Sequence, residues 1–191
     1  MEGFEVSMGT IWRLAEPADV PVINALAARS IRALHIGSYE DAVIEEAVHH
    51  AYGVDWQLIR DRTYFIAEID GAVAGAGGWS YRQTIAGAHG PDEPAAALLD
   101  PGHDAARIRA FYIDPAYTRR GVGALLLWLS EAAAREAGFS KAELTSTVPA
   151  VPFYAAFGYR PVRPFDMALP NGSALRLELM DKSLIANPQE P

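Results

Sequence analysis

The stretch Tyr117-Thr118-Arg119-Arg120-Gly121-Val122-Gly123-Ala124-Leu125-Leu126-Leu127 stands between segments of two different periods. Upstream, Ile108 to Ile113 is a short apolar run of strand length. Downstream, Val122, Leu125, Leu126, Leu129, Ala132 and Ala133 recur at helical spacing. Two arginines and two glycines therefore fall at a helix N-terminus. Backbone N–H groups there have no intrahelical acceptor, and the helix dipole adds partial positive charge. Glycine lets a ligand come close to the backbone. Basic side chains at that end oppose the dipole, a cost that makes sense where an anion binds. The stretch reads as a strand, an anion-binding turn and a helix.

The same reading extends outward. Ile11 to Leu14 alternates as a first strand, and Asp19 to Leu34 carries Val20, Ile23, Leu26, Ala27, Ile31 and Leu34 at helical spacing. Ser38 to Asp41 can cap a second helix that bears Val43, Ile44, Ala47 and Val48. Thr63 to Ile69 and Ala72 to Tyr81 pair around Asp70-Gly71, a strong hairpin turn. Gly75, Gly77 and Gly78 within the second strand signal a bulge or close backbone approach. Thr84 to Ala105 lacks strand periodicity and is broken by glycines and prolines, so it reads as a functional lid or as disordered chain. Gly138 caps the long helix, Lys141 to Thr145 is a strand, and Pro149 to Phe157 a short helix. Pro164 to Leu169 and Ala174 to Met180 form a last hairpin around Asn171-Gly172. The order β-α-α-β-β-β-α-β-α-β-β makes an α/β (α+β) chain with one mixed sheet flanked by helices.

Composition narrows the function. The chain has 191 residues, enough for a single domain, here taken as 1-191 with a core from about 11 to 181. A formal net charge of -8 disfavours nucleic acid and anionic membranes as partners. It suits a cationic ligand better than an anionic one. There is no cysteine, which excludes disulfides, thiolate zinc sites and cysteine nucleophiles. His49-His50 is an adjacent pair whose members face different ways on a helix, and no metal site is expected. Met1 to Thr10 has no leader-like pattern and no segment is apolar enough to span a bilayer, so the cytoplasm is the expected location.

Three segments together resemble the GCN5-related N-acetyltransferases, the GNAT family. Ile113 to Leu126 looks like the family's strand, glycine loop and helix; Ala150-Val151-Pro152-Phe153-Tyr154-Ala155-Ala156-Phe157-Gly158-Tyr159 is similar to its A-x-x-F-Y-x-x-x-G-F/Y signature; Tyr64 to Gly75 is similar to its central hairpin. The resemblance implies a mostly antiparallel sheet with a V-shaped splay between the fourth and fifth strands, holding acetyl-CoA as co-substrate without a metal. By position it places Phe111, Tyr112 and Ile113 along the pantetheine arm. Arg119, Arg120, Gly121, Val122, Gly123 and Ala124 fall at the pyrophosphate. Tyr154 becomes the general acid, since a phenol near pKa about 10 can return a proton to a thiolate near about 8.5. Thr118 and Pro149 depart from the family pattern, which usually has Gln or Arg at the first position and often Asn at the second; proline supplies no donor. Glu68, Tyr81, Tyr112 and Asp114 are candidate bases, and the Ile113 N–H a candidate oxyanion donor. His89 and His103 in the long loop, and Trp79 with Tyr81, are candidates to meet the acceptor.

The implied activity is acetyl transfer to the amine of a small molecule or peptide, on a fold that often forms homodimers. Two alternatives stay open. A dinucleotide-binding enzyme would share Gly121-Val122-Gly123, but Leu126 replaces the third glycine of G-x-G-x-x-G. A non-catalytic acyl-CoA sensor or partner-binding module would keep the loop without needing an acid.

Overall fold

The computed structural model describes residues 9–185; the first eight residues of the stretch Met1 to Thr10 lie outside them. Seven strands form one sheet: β1 (Thr10–Leu14), β2 (Tyr64–Ile69), β3 (Ala72–Ser80), β4 (Ala106–Ile113), β5 (Lys141–Thr147), β6 (Arg160–Ala168) and β7 (Ala174–Ser183). Their order is β1-β2-β3-β4-β5-β7-β6, and every pairing is antiparallel except β4 with β5. The helices are α1 (Val20–Leu34), α2 (Asp41–His50), α3 (Trp56–Arg60), α4 (Val122–Glu136) and α5 (Val151–Ala156).

Both faces of the sheet are covered, which explains why β2 is a continuous apolar run. Tyr64 and Ile66 point to α1, whose Ile23, Leu26, Ala27 and Ile31 complete one core. Phe65, Ala67 and Ile69 point the other way, toward Val122, Leu126, Leu127 and Leu129 of α4. The outer strand β6 contains Pro161 and Pro164, tolerable on an edge where one row of N–H groups needs no partner.

The parallel pair is the weak seam. β4 and β5 are in register only at Ala106 with Ala142 and Arg107 with Glu143, where an Arg107–Glu143 ion pair also crosses. Beyond those two rungs the strands part, and β5 instead pairs with β7 along its whole length. On the other side of β4 a bulge breaks the ladder to β3 between Ala76 and Gly78. Ala110 takes φ 55°, unusual for a residue with a Cβ, and its carbonyl accepts the Tyr64 hydroxyl at 3.0 Å. Such a bulge bends a strand and re-aims its side chains.

The β3 glycines meet the sequence expectation of bulge and close approach. A Cβ on Gly75 would come within 2.7 Å of Val122 Cγ1, and one on Gly77 within 2.8 Å of the Phe111 ring. The missing Cβ at Gly75 seats the first turn of α4 on the sheet, and that at Gly77 makes room for the Phe111 ring.

Three local expectations need correction. Between α2 and β2 the sequence hides α3, capped by the Asp55 side chain accepting from Gln57 N–H at 3.0 Å. The 149–157 segment divides into a 3-10 turn, Val148–Ala150, followed by α5. The segment 84–105 is not loose: Gln83 N–H bonds Ala97 O, Leu99 N–H bonds Tyr81 O, and Ala96 N–H bonds Gln57 Oε1.

Candidate functional site

Where β4 and β5 diverge, a cavity of about 700 Å³ opens between them. One side of it is built by β4, the turn after it, and the start of α4. Pro115–Tyr117 forms a 3-10 turn capped by Asp114, whose Oδ1 accepts Ala116 N–H at 3.0 Å. Arg119 has φ 63° and Gly121 φ 78°, so the chain is twice left-handed just before the helix. Gly121 is the N-cap, and Leu125 N–H is the first to bond back, to Gly121 O at 2.9 Å. The N–H groups of Val122, Gly123 and Ala124 precede that bond, where a helix has no carbonyl to offer. All three residues, with Arg119 and Gly121, line the cavity. A Cβ on Gly123 would stand 3.2 Å from the Phe153 ring, so the glycine brings α5 against this turn. The arrangement can receive an anion.

Most expected site residues are brought together here. Phe111, Tyr112, Ile113, Arg119, Gly121, Val122, Gly123, Ala124 and Tyr154 all line the one cavity. Arg120 does not; its guanidinium lies 5.3 Å from the centre of the Tyr117 ring. Thr118 lines the wall but spends its hydroxyl on Pro115 O at 3.1 Å. The Ile113 N–H donates to Ser30 Oγ at 3.3 Å. Tyr154 is buried among Phe111, Phe153 and Tyr159, with ring centres 6.3, 5.0 and 5.8 Å away. Burial holds its phenol well above the ordinary range.

Of the candidate bases only Tyr112 borders the cavity. Glu68 accepts from Arg13 at 2.9 Å at the β1–β2 edge. Asp114 accepts from Arg29 at 2.8 Å. Tyr112 borders the cavity, yet its hydroxyl both donates to Gly53 O and accepts from Gly53 N–H at 3.1 Å, and burial pushes its pKa up to about 12. Tyr81 and Trp79 stack on each other at 5.8 Å, away from the cavity lining. His103 is an exposed partner of Asp100.

The other side of the cavity contains residues the sequence reading passed over. The segment Ile85 to Ala88 crosses it, tied to β5 by the Thr145 hydroxyl donating to Ile85 O at 3.2 Å. A buried polar knot fixes the segment from behind. Arg109 Nη2 donates to Asp55 Oδ2 at 2.7 Å and to Gly87 O at 2.5 Å. His89 joins through Nδ1, 3.3 Å from Asp55, while its Nε2 meets Thr84 Oγ1 at 3.1 Å. His35 at the end of α1 also lines the cavity, and burial depresses its pKa to about 4. One signal for Arg109 was present: a charge inside the apolar run Ile108 to Ile113 needs a buried partner. Nothing marked Asp55 as that partner.

A splayed α/β sheet, the N–H groups of a helix start and a buried tyrosine thus border one opening. Residues 28–159 match the model of the acetyltransferase (GNAT) family, so the chain belongs to that family. A search of curated proteins finds no match. Among solved structures, a GCN5-related N-acetyltransferase from Rhodopseudomonas palustris has 22% identity and a TM-score of 0.69, covering 95% of this chain and 99% of its own. The PaiA N-acetyltransferase from Thermoplasma acidophilum, in complex with coenzyme A, has 16% identity and a TM-score of 0.62, covering 92% and 99%. The structure of yncA from Salmonella typhimurium with acetyl-CoA has 16% identity and a TM-score of 0.61, covering 96% and 98%. At these identities the likeness is one of fold.

Proposed function

We propose that the chain is an N-acetyltransferase that moves the acetyl group of acetyl-CoA to the amine of a small molecule or peptide. The observation that carries this is one continuous cavity. It joins the free N–H groups at the start of α4, the parted edges of β4 and β5, Tyr154, and the wall formed by Ile85 to Ala88. The pyrophosphate belongs at Arg119 and the N–H groups of 121–124, where several donors converge. Phe111, Tyr112 and Ile113 flank the path of the pantetheine arm, an extended ligand beside an unpaired strand.

The chemistry then runs across the opening. A neutral amine nitrogen attacks the thioester carbonyl carbon; the C–N bond forms and the C–S bond breaks. The sulfur leaves as a thiolate and takes the Tyr154 proton, and the tyrosinate recovers a proton from the new amide nitrogen through cavity water. Burial suits Tyr154 to this order of events. It keeps the phenol protonated until a thiolate appears beside it; burial also makes the phenol a weaker acid, which the same apolar surroundings offset by raising the basicity of the thiolate.

The test is coenzyme A release from acetyl-CoA over a panel of amines, amino acids, aminoglycosides and peptides. Tyr154→Phe is expected to bind coenzyme A as before and to lose about 10²-fold or more in kcat, the usual worth of a placed acid. Unchanged turnover in that variant would remove Tyr154 from the mechanism. Coenzyme A binding without transfer to any amine would make the protein an acyl-CoA sensor instead.

A further inference from the structure

The acid balance of the chain stops at the cavity wall. The formal net charge is -8, yet none of the described residues lining the cavity is Asp or Glu. Its formal charges are those of Arg109 and Arg119. Arg119 stands at the helix start, which leaves Arg109 as the charge of the acceptor side.

Arg109 is deeply placed, its side chain 4% exposed. Its Nη2 serves Asp55 and Gly87 O, but Nη1 has no hydrogen-bond partner. The one carboxylate nearby is already divided: Asp55 also accepts Gln57 N–H at 3.0 Å and lies 3.3 Å from His89 Nδ1. An unpaired, buried, charged donor costs more than a neutral one, and an incoming carboxylate oxygen recovers that cost. The Tyr52 hydroxyl, in the same cavity wall, is a second buried group without a partner. Around them the wall is apolar, with Ile31, Leu34, Met167 and Leu177. A polyamine or aminoglycoside would bring surplus ammonium groups into this space with no carboxylate to receive them, which disfavours it.

We infer that the acceptor is an amine carrying a carboxylate on an otherwise apolar body, an amino acid or its analogue, with the carboxylate received by Arg109. This rests on the acetyl-transfer reading. It runs against the preference for cationic amines that net charge alone suggests, because the charge a ligand meets is that of the wall.

The test compares matched acceptors with the purified protein and acetyl-CoA. Leucine, methionine and phenylalanine are set against their amides and their decarboxylated amines, with spermidine and kanamycin beside them. The amides control for amine basicity, since an amide lowers it further than a carboxylate does. The readouts are coenzyme A release and the melting shift each acceptor gives in the presence of coenzyme A. At least one amino acid is expected to exceed its amide and amine by about tenfold or more in kcat/KM, equivalent to one charge-assisted hydrogen bond. Arg109→Gln should bring that ratio to near unity, and Arg109→Lys should keep part of it, with KM for acetyl-CoA unmoved in the lysine variant. If the glutamine variant does not fold, the wild-type series and the lysine variant decide. Equal or better use of the amides, amines or polycations overturns the inference while leaving acetyl transfer standing. Amino acids inert in both readouts also overturn it. Failure of acetyl-CoA itself to bind, by calorimetry, sinks the reading beneath it.

Discussion

His35 shows how one side chain reports its surroundings. It caps the C-terminal end of α1, is buried, and sets its ring 5.4 Å from Tyr39 and 6.1 Å from Tyr52. Burial disfavours the imidazolium, and the pKa falls from 6.5 to about 4. The unfolded chain binds a proton near the ordinary value, while the folded protein refuses it until much lower. Between those two values the unfolded state holds more protons, so stability falls as pH drops and levels off below the folded value. A shift of this size corresponds to about 3 kcal/mol of stability at neutral pH that is lost on acidification. Urea melts at neutral pH and at pH about 4.5 measure it, with His35→Gln as the comparison. The variant should lose less stability on acidification than the parent by that amount. Parallel losses in the two proteins would place the acid sensitivity on other groups, such as the carboxylates paired at Asp19 and Asp114, whose pKa values are lowered.

At the scale of elements, the segment 84–105 turns from a length of glycines and prolines into a wall because of one ion pair. Asp55 and Arg109 are both buried, with side-chain exposures of 1% and 4%, and the Arg109 Nη2 that meets Asp55 also donates to Gly87 O. Asp55→Asn keeps the cap on α3 but leaves the guanidinium without its counter-charge. Breaking a buried pair from one side costs about 3–5 kcal/mol, whereas replacing both partners by well-packed apolar residues can be nearly neutral. Asp55→Asn should therefore destabilise by that amount and speed amide exchange at Ile85 to Ala88. Asp55→Leu with Arg109→Met should recover most of the stability. A single variant as stable as the parent would show that the segment is held by its Thr145 and Ala97 contacts alone. The same elements show what the sequence could tell. The helix α4, the glycine turn and the hairpins declared themselves because their periods and turn residues are local. Phe153 and Tyr154 were legible through a motif, and the Phe153 ring does lie against the glycine turn at Gly123. By contrast α3 is five residues long, too short for a period to register. The knot of Asp55, His89 and Arg109 draws on three separate segments, and no local pattern encodes such a meeting. The cavity wall built by Arg109 and Ile85 to Ala88 was therefore the part that only the folded chain could show.

Across the whole molecule, the sheet consists of two ladders, β1-β2-β3-β4 and β5-β7-β6, joined at two rungs and by Arg107 with Glu143. Helix α4 packs across β2, β3 and β4, while α5 packs against β5 and β6, so the opening is bordered by both halves. A ligand seated in the opening touches strands that do not touch each other there. Binding to the folded state alone then stabilises the molecule by RT ln(1 + [L]/Kd), about 2.7 kcal/mol at a hundredfold excess over Kd. For a domain of this size that is a melting shift of roughly 5–10 °C. Coenzyme A should produce it, and the desulfo form should as well, since the phosphates and the arm supply the contacts. Arg119→Ala tests where the phosphates sit. Arg119 is exposed in the unliganded protein, so its removal should leave the unliganded melting temperature nearly unchanged. A lost charge-assisted contact to phosphate is worth about 1.5–3 kcal/mol, a rise in Kd of roughly ten- to a hundredfold. At fixed coenzyme A concentration the melting shift should shrink to about half or less. A shift retained in full would move the phosphates away from Arg119, and no shift with coenzyme A in the parent protein would mean that the parted strands hold some other ligand.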